Sequence, residues 1–172
     1  MFNGTTRIAI AAALMTAVAL PTFAQSRPDP IKQHKVWGAF SYDDANAGKL
    51  CYILAIPTDK QPPERDHGDV FFLVSQKPDG STGFEPQFEV GYALAPNEKV
   101  TVTLDGKTFE MFSSGKNAWL THVEQEPELV AAMRAGSSMR VQGKSVRGTD
   151  TSYTYSLSGV TAALNEVSNC KR

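Results

Sequence analysis

From His34 onward apolar and polar side chains alternate with a period of two, the pattern of strands with one buried face. The alternation predicts strands over His34–Tyr42, Leu50–Ile56, Asp69–Gln76, Gln87–Leu94, Lys99–Leu104, Lys107–Phe112, Ser138–Ser145 and Tyr153–Leu157. Turn residues separate them: Pro62 and Pro63 lie within Thr58–Gly68, and Pro78-Asp79-Gly80 opens another loop. Residues 25–33 are polar, carry Pro28 and Pro30, and read as a flexible N-terminal arm.

Asp105-Gly106 makes the sharpest local prediction. Both residues suit the positive φ of a two-residue type I′ turn. Such a hairpin sets Val102 opposite Phe109 and Val100 opposite Met111 on an apolar face, with Thr101–Glu110 and Thr103–Thr108 on the polar one. Two stretches change to helical spacing. Glu126-Pro127-Glu128 places Pro and acids in a first turn, Leu129, Val130 and Met133 make an apolar stripe, and Gly136 suits the residue after the last turn. Ser158 is an N-cap candidate, followed by Val160, Ala163, Leu164 and Val167. The fold class that follows is mainly β: an antiparallel β-sandwich or partly open barrel with two short helices, in a single domain over 34–172.

The N-terminus is of another kind. Arg7 precedes the apolar run Ile8–Leu20, Pro21 breaks it, and Thr22-Phe23-Ala24 offers a signal-peptidase site, so residues 1–24 read as a cleaved signal peptide. Thirteen residues of helix cover about 20 Å, against the ~30 Å of a bilayer core. The expectation is an exported protein without a stable transmembrane anchor after cleavage, periplasmic or associated with the outer surface. Gln25 follows the expected cut, so no lipid-modified Cys begins the mature chain of 148 residues.

Export gives weight to Cys51 and Cys170, the only thiols in the chain. An oxidising compartment favours pairing them across 119 residues. Two buried free thiols, or a redox-active pair lacking a Cys-x-x-Cys motif, are the alternatives. With 172 residues, 41% of them hydrophobic and 20% charged, the composition is globular, and a net charge of −1 offers nothing to a phosphate backbone. No nucleic-acid partner is expected.

Catalytic motifs are hard to assemble. Ser156-Leu157-Ser158-Gly159 resembles a nucleophile elbow but lacks the first Gly of Gly-x-Ser-x-Gly, and it reads as strand end plus helix cap. Asp66-His67-Gly68-Asp69 has no metal-ligand spacing to His34 or His122 and reads as a solvated turn. Asp43-Asp44, Glu124, Glu126 and Glu128 occupy loop or helix-start positions where acids are common. Arg140, Gln142 and Lys144 alternate with Met139, Val141 and Gly143, as on a solvent-facing edge strand. Trp37, Trp119 and Phe71-Phe72 read as core. No catalytic residue, metal ligand or cofactor is expected.

The second half of the chain carries a resemblance. Asp105-Gly106-Lys107 with Phe109 and Met111-Phe112, Ala118-Trp119, the run Leu129–Met139, Lys144 through Arg147-Gly148-Thr149, and Tyr155-Ser156-Leu157-Ser158-Gly159 with terminal Cys170 together resemble the invasion-associated locus B family of alpha-proteobacteria. The anchors are Trp119, Arg147, Gly148, Thr149, Tyr155, Ser156, Leu157 and Gly159. Positions 38–42 hold no second Cys near Trp37, so one bridge is available. The resemblance implies an exported β-rich envelope protein of a family named for bacterial entry into host cells, a phenotype and not a molecular activity. The functional expectation is a non-catalytic binding module whose partner is an envelope or host-surface protein. The alternatives are a small cell-envelope hydrolase and a carrier of a hydrophobic ligand.

Overall fold

The structure is a computed structural model that describes residues 28–44, 48–77 and 83–170. The expected signal peptide, residues 1–24, lies outside the described residues. Eleven strands follow one another as β1 (Asp29–His34), β2 (Trp37–Asp44), β3 (Gly48–Ala55), β4 (Asp59–Gln61), β5 (Phe71–Gln76), β6 (Phe84–Glu89), β7 (Val100–Leu104), β8 (Lys107–Ser114), β9 (Asn117–Leu120), β10 (Ser138–Lys144) and β11 (Asp150–Ser156). The helices are α1 (Glu126–Ala135) and α2 (Val160–Ser168), with a 3-10 turn over Val123–Gln125.

All the strands join one antiparallel sheet in the order β1-β2-β3-β5-β6-β9-β8-β7-β10-β11-β4. The end of β3 and the start of β4 are four residues apart in sequence, a reach of at most about 14 Å. Yet β3 is third from one end of the sheet and β4 is the last strand at the other. The sheet must therefore curl until its halves face each other, an open barrel as the strand pattern predicts. Phe72 on β5 meets Tyr155 on β11 with ring centroids 5.8 Å apart, and Phe88 on β6 meets Tyr153 at 5.5 Å. These four rings, with Trp37, Ile53, Met111 and Leu164, form the solvent-excluded centre.

The Asp105-Gly106 hairpin has the predicted register at every pair: Val100↔Met111, Thr101↔Glu110, Val102↔Phe109 and Thr103↔Thr108. Asp105 and Gly106 both take positive φ, 49° and 78°. Elsewhere the strands depart from the predicted ones. His34–Tyr42 is no single strand: it breaks at Lys35-Val36 into the β1–β2 hairpin, with His34 opposite Trp37. Residues 29–33 of the expected arm thus belong to β1. The expected strand Gln87–Leu94 ends at Glu89, because Gly91 packs so tightly on the loop before β5 that a Cβ there would stand 2.6 Å from the His67 carbonyl oxygen. β4 and β9 were not predicted; β4 lies within Thr58–Gly68, which read as a connection.

α1 carries Pro127 in its first turn and buries Leu129, Val130 and Met133. Gly136 follows its last turn as anticipated, in an extended conformation (φ −81°), with its N–H donating to the Ala132 carbonyl. α2 lays Val160, Ala163, Leu164 and Val167 onto the inner faces of β2 and β3. Its N-cap is Gly159 (φ 98°), not the expected Ser158, because any Cβ at 159 would overlap the His34 carbonyl oxygen. Two residues past α2, Cys170 is joined to Cys51 of β3, Cα to Cα 6.3 Å, so the end of α2 is tied to the inner face of the barrel.

Candidate functional site

The sheet's outer surface carries an apolar row. Register pairs Gly38 with Leu54, Leu54 with Leu73, Leu73 with Gln87, Gln87 with Trp119 and Trp119 with Phe112, a continuous line across β2, β3, β5, β6, β9 and β8. Strand side chains alternate between faces, and the neighbours of these residues (Ile53, Phe72, Phe88, Ala118, Met111) point into the core. Phe112 is 51% exposed and lies against the half-buried Trp119, ring centroids 5.9 Å apart. Beside the row, the cross-strand pair Phe40–Tyr52 stacks at 5.5 Å and Tyr42 meets Tyr52 edge-on at 6.0 Å. Ile56, 63% exposed, continues the apolar surface past the end of β3. Glu85 and Glu89 flank the row on β6. Of the aromatics read as core, Trp37 and Phe72 are fully buried, whereas Trp119 and Phe71 belong to the outward face of their strands.

The second feature is a cavity of about 340 Å³ between the loop before β5, residues 91–93 and the β10–β11 turn. Arg65, Asp66 and His67 line it from the first, Gly91 and Tyr92 from the second, Ser145, Arg147 and Thr149 from the third, and Thr151 from β11. Its frame is tightly made. Gly91 N–H donates to the His67 carbonyl at 3.2 Å, Val146 N–H to the Ala93 carbonyl at 3.0 Å, and Thr149 N–H to Ser145 Oγ at 3.1 Å. Gly148 supplies the positive φ (82°) of the β10–β11 turn, which points Arg147 to solvent beside the cavity.

Beneath runs a chain of buried polar groups. His67 Nε2 lies 3.0 Å from the Pro62 carbonyl oxygen, which can only accept, so this nitrogen carries the hydrogen. In the neutral ring Nδ1 then accepts from the Tyr153 hydroxyl at 2.7 Å. Thr151 Oγ1 donates to the Gly143 carbonyl at 3.0 Å. The Tyr92 hydroxyl is left with one hydrogen facing two oxygens, Tyr153 Oη at 2.9 Å and Thr151 Oγ1 at 2.7 Å. Burial, reinforced by the Tyr92 hydrogen bond, holds the Tyr153 hydroxyl far above the ordinary tyrosine range, so it remains a donor. His67 is therefore no part of a solvated turn: it is 6% exposed with both ring nitrogens engaged, while Asp66 and Asp69 are exposed.

The three histidines lie apart. His34 contacts Glu166 at 3.2 Å on α2, and His122 contacts Glu124 at 3.4 Å on the surface. Among the described residues no group of three His, Cys, Asp or Glu side chains converges to hold a metal ion. Ser156 Oγ accepts from Ser158 N–H at 3.2 Å, a turn contact, and among the described residues no histidine is hydrogen-bonded to this hydroxyl. Of the acids set aside, Glu126 is buried and paired with Lys77, and Glu128 binds Lys107 at 2.7 Å. The alternation of Arg140, Gln142 and Lys144 is present on β10, but β10 is not an edge strand; β7 and β11 pair with its two sides.

The anchor residues therefore disperse. Trp119 lies on the outer row, and Arg147, Gly148 and Thr149 lie at the cavity. Tyr155, Ser156, Leu157 and Gly159 make the buried passage from β11 into α2, where the Ser156 carbonyl accepts from Trp37 Nε1 and Leu157 N–H donates to the Ser137 carbonyl. Arg65, Tyr92 and Thr151 were not anticipated and His67 was read only as part of a turn, since the four come from segments with no common spacing. Phe112 did leave a signal: a large apolar residue in the outward register of a predicted strand.

An open antiparallel barrel closed on one side by a helix and a long-range disulfide defines a mainly β class; among the described residues no helix is long and apolar enough to cross a membrane. The chain belongs to the invasion associated locus B (IalB) protein family, whose model matches residues 37–168. Its fold is similar to the crystal structure of invasion associated protein b from Bartonella henselae, with a TM-score of 0.56 and 16% sequence identity over 79% of this chain and 94% of that one. No curated protein matches the sequence.

Proposed function

We propose that this protein is an exported, non-catalytic binding module of the envelope or outer surface that docks a protein partner on the outer row around Trp119 and Phe112. The observation that carries the reading is that row itself. Leu54 and Leu73 on one side of Gln87, and Trp119 and Phe112 on the other, expose apolar area in register across the sheet, and apolar patches with polar borders mark contact surfaces. Gln87 within the row and Glu85 and Glu89 beside it favour a protein over an anionic lipid surface, which calls for Lys and Arg. Export rests on the sequence of residues 1–24 and on the pairing of Cys51 with Cys170. A link to host entry rests on the family's name.

A non-catalytic role is supported by the separation of His34, His67 and His122 and by the two structural hydrogen bonds that occupy the His67 ring. The carrier reading fares poorly because Trp37, Phe72, Phe88, Tyr153 and Tyr155 fill the barrel's centre. A benzophenone photocrosslinker placed at position 112 in intact cells tests the proposal, with Ala162 on the exposed face of α2 as the control position. A discrete protein adduct from 112 and none from 162 is expected. No adduct from 112, or the same adducts from both positions, would overturn it.

A further inference from the structure

The cavity beside His67 is chemically unlike the outer row. Its walls hold two guanidinium groups, Arg65 and Arg147, against one carboxylate, Asp66, whose Oδ1 already accepts from Gly68 N–H at 2.9 Å. Among the described residues no carboxylate pairs with either arginine. Arginine forks match the two oxygens of a carboxylate or phosphate. The floor has the opposite character. Tyr92 and Thr151 share too few hydrogens for their contacts, because Thr151 gives its own to Gly143 and Tyr92 has one for two oxygens. Their remaining lone pairs can accept from a ligand hydroxyl. The cavity lining therefore combines guanidinium donors with hydroxyl acceptors, in a volume within the range of small-molecule sites (about 300–1,000 Å³).

We infer that this cavity binds a small hydroxylated oxyanion of the acidic-sugar type, its carboxylate held between Arg65 and Arg147 and a hydroxyl donated to the Tyr92–Thr151 pair. Rigidity supports the assignment. Gly68 and Gly91 are in direct contact, and the Ser145–Thr149 turn is closed by its own backbone hydrogen bonds, so the walls stand in place without a ligand. The Arg65 and Arg147 side chains are exposed.

The test is titration calorimetry of the purified protein with D-glucuronate, D-galacturonate and D-gluconate, alongside D-glucose, acetate and inorganic phosphate. Arg65→Gln, Arg147→Gln and Tyr92→Phe serve as variants, and thermal unfolding monitors their fold. At least one of the three sugar acids is expected to bind saturably, at least tenfold more tightly than glucose, a margin of about 1.4 kcal/mol. Each arginine variant is expected to lose about tenfold of that affinity at unchanged melting temperature, and Tyr92→Phe to weaken the sugar acids while leaving acetate unaffected. No binding by any sugar acid overturns the inference. So does full affinity in the Arg65→Gln/Arg147→Gln double variant, and so does phosphate or acetate binding as tightly as the sugar acids, because the floor would then contribute nothing. The outer-row proposal is independent of all these outcomes.

Discussion

The Trp37 indole N–H donates to the Ser156 carbonyl at 3.0 Å, joining β2 near one end of the sheet to β11 near the other, where no ladder connects them. The bond closes the barrel on the side where α2 begins. Trp37 is fully buried, so its loss also strands an acceptor.

Trp37→Phe keeps most of the ring and removes the donor. We expect it to lower unfolding free energy by about 2 kcal/mol, the combined effect of the hydrogen bond and a small void. Urea unfolding followed by circular dichroism measures it. A change within about 0.5 kcal/mol would mean that α2 and the disulfide alone hold the two halves together.

How far the sequence reveals this architecture is clearest from its hairpins. Asp105-Gly106 is the residue pair that a two-residue turn favours, and there local chemistry and alternation agree, so the register was legible to the residue. Lys35-Val36 makes an equally short connection with Lys35 at φ 56°, which Lys adopts only when tertiary packing repays the strain. The hairpin packs against Gly159 of the α2 start, a contact no local pattern announces. β9 hid for a simpler reason: four residues after Gly115-Lys116 give too few alternations to stand out. The cavity was illegible because its walls meet only after the sheet curls. The outer row was half legible, since Phe112 and Trp119 stand in outward register but large aromatics are ordinarily assigned to a core.

Tyr153 and Tyr155 lie two residues apart on one face of β11, yet their hydroxyls have opposite circumstances. Tyr153 donates to His67 and faces Tyr92, whereas the Tyr155 hydroxyl is buried with no hydrogen-bond partner among the described residues, and burial drives it well above the usual tyrosine range. An unsatisfied buried hydroxyl costs stability, so Tyr155→Phe is expected to be neutral or to stabilise by up to about 1 kcal/mol. Tyr153→Phe leaves the His67 nitrogen stranded and is expected to destabilise by roughly 1–3 kcal/mol. Parallel thermal melts decide the matter, and equal losses in both variants would show that Tyr155 has a partner in solution.

The Cys51–Cys170 bridge closes a loop of 119 residues, long enough for the chain-entropy account to give about 4–5 kcal/mol, with measured bridges spanning about 2–5. Cys51→Ala with Cys170→Ala is expected to lose stability in that range. Its first consequence should be local: α2, held on β2 and β3 by Val160, Ala163, Leu164 and Val167, should exchange its amide hydrogens faster than the β7–β8 hairpin does. Hydrogen exchange on oxidised and reduced protein reads this directly. Protection of α2 unchanged by reduction would show that its apolar face suffices.

Glu85 on β6 offers a prediction in pH. Partial burial raises its carboxyl above the ordinary range, the nearby Glu126 charge raises it further, and Lys77 offsets part of this. A carboxyl that is harder to ionise when folded binds more protons in the native than in the unfolded chain across the interval between its two pKa values. Its contribution to stability therefore grows as pH falls through that interval and is lost as pH rises above the folded value. Glu85→Gln removes the penalty and keeps a similar shape. It is expected to stabilise by about 0.5 kcal/mol at pH 7, a modest figure because the side chain is solvent-screened, and to have no effect below the unfolded carboxyl range. Melting temperatures of both proteins from pH 3 to 8 test the sign, and a variant less stable than its parent at pH 7 would mean that Lys77 depends on the Glu85 charge as well as that of Glu126.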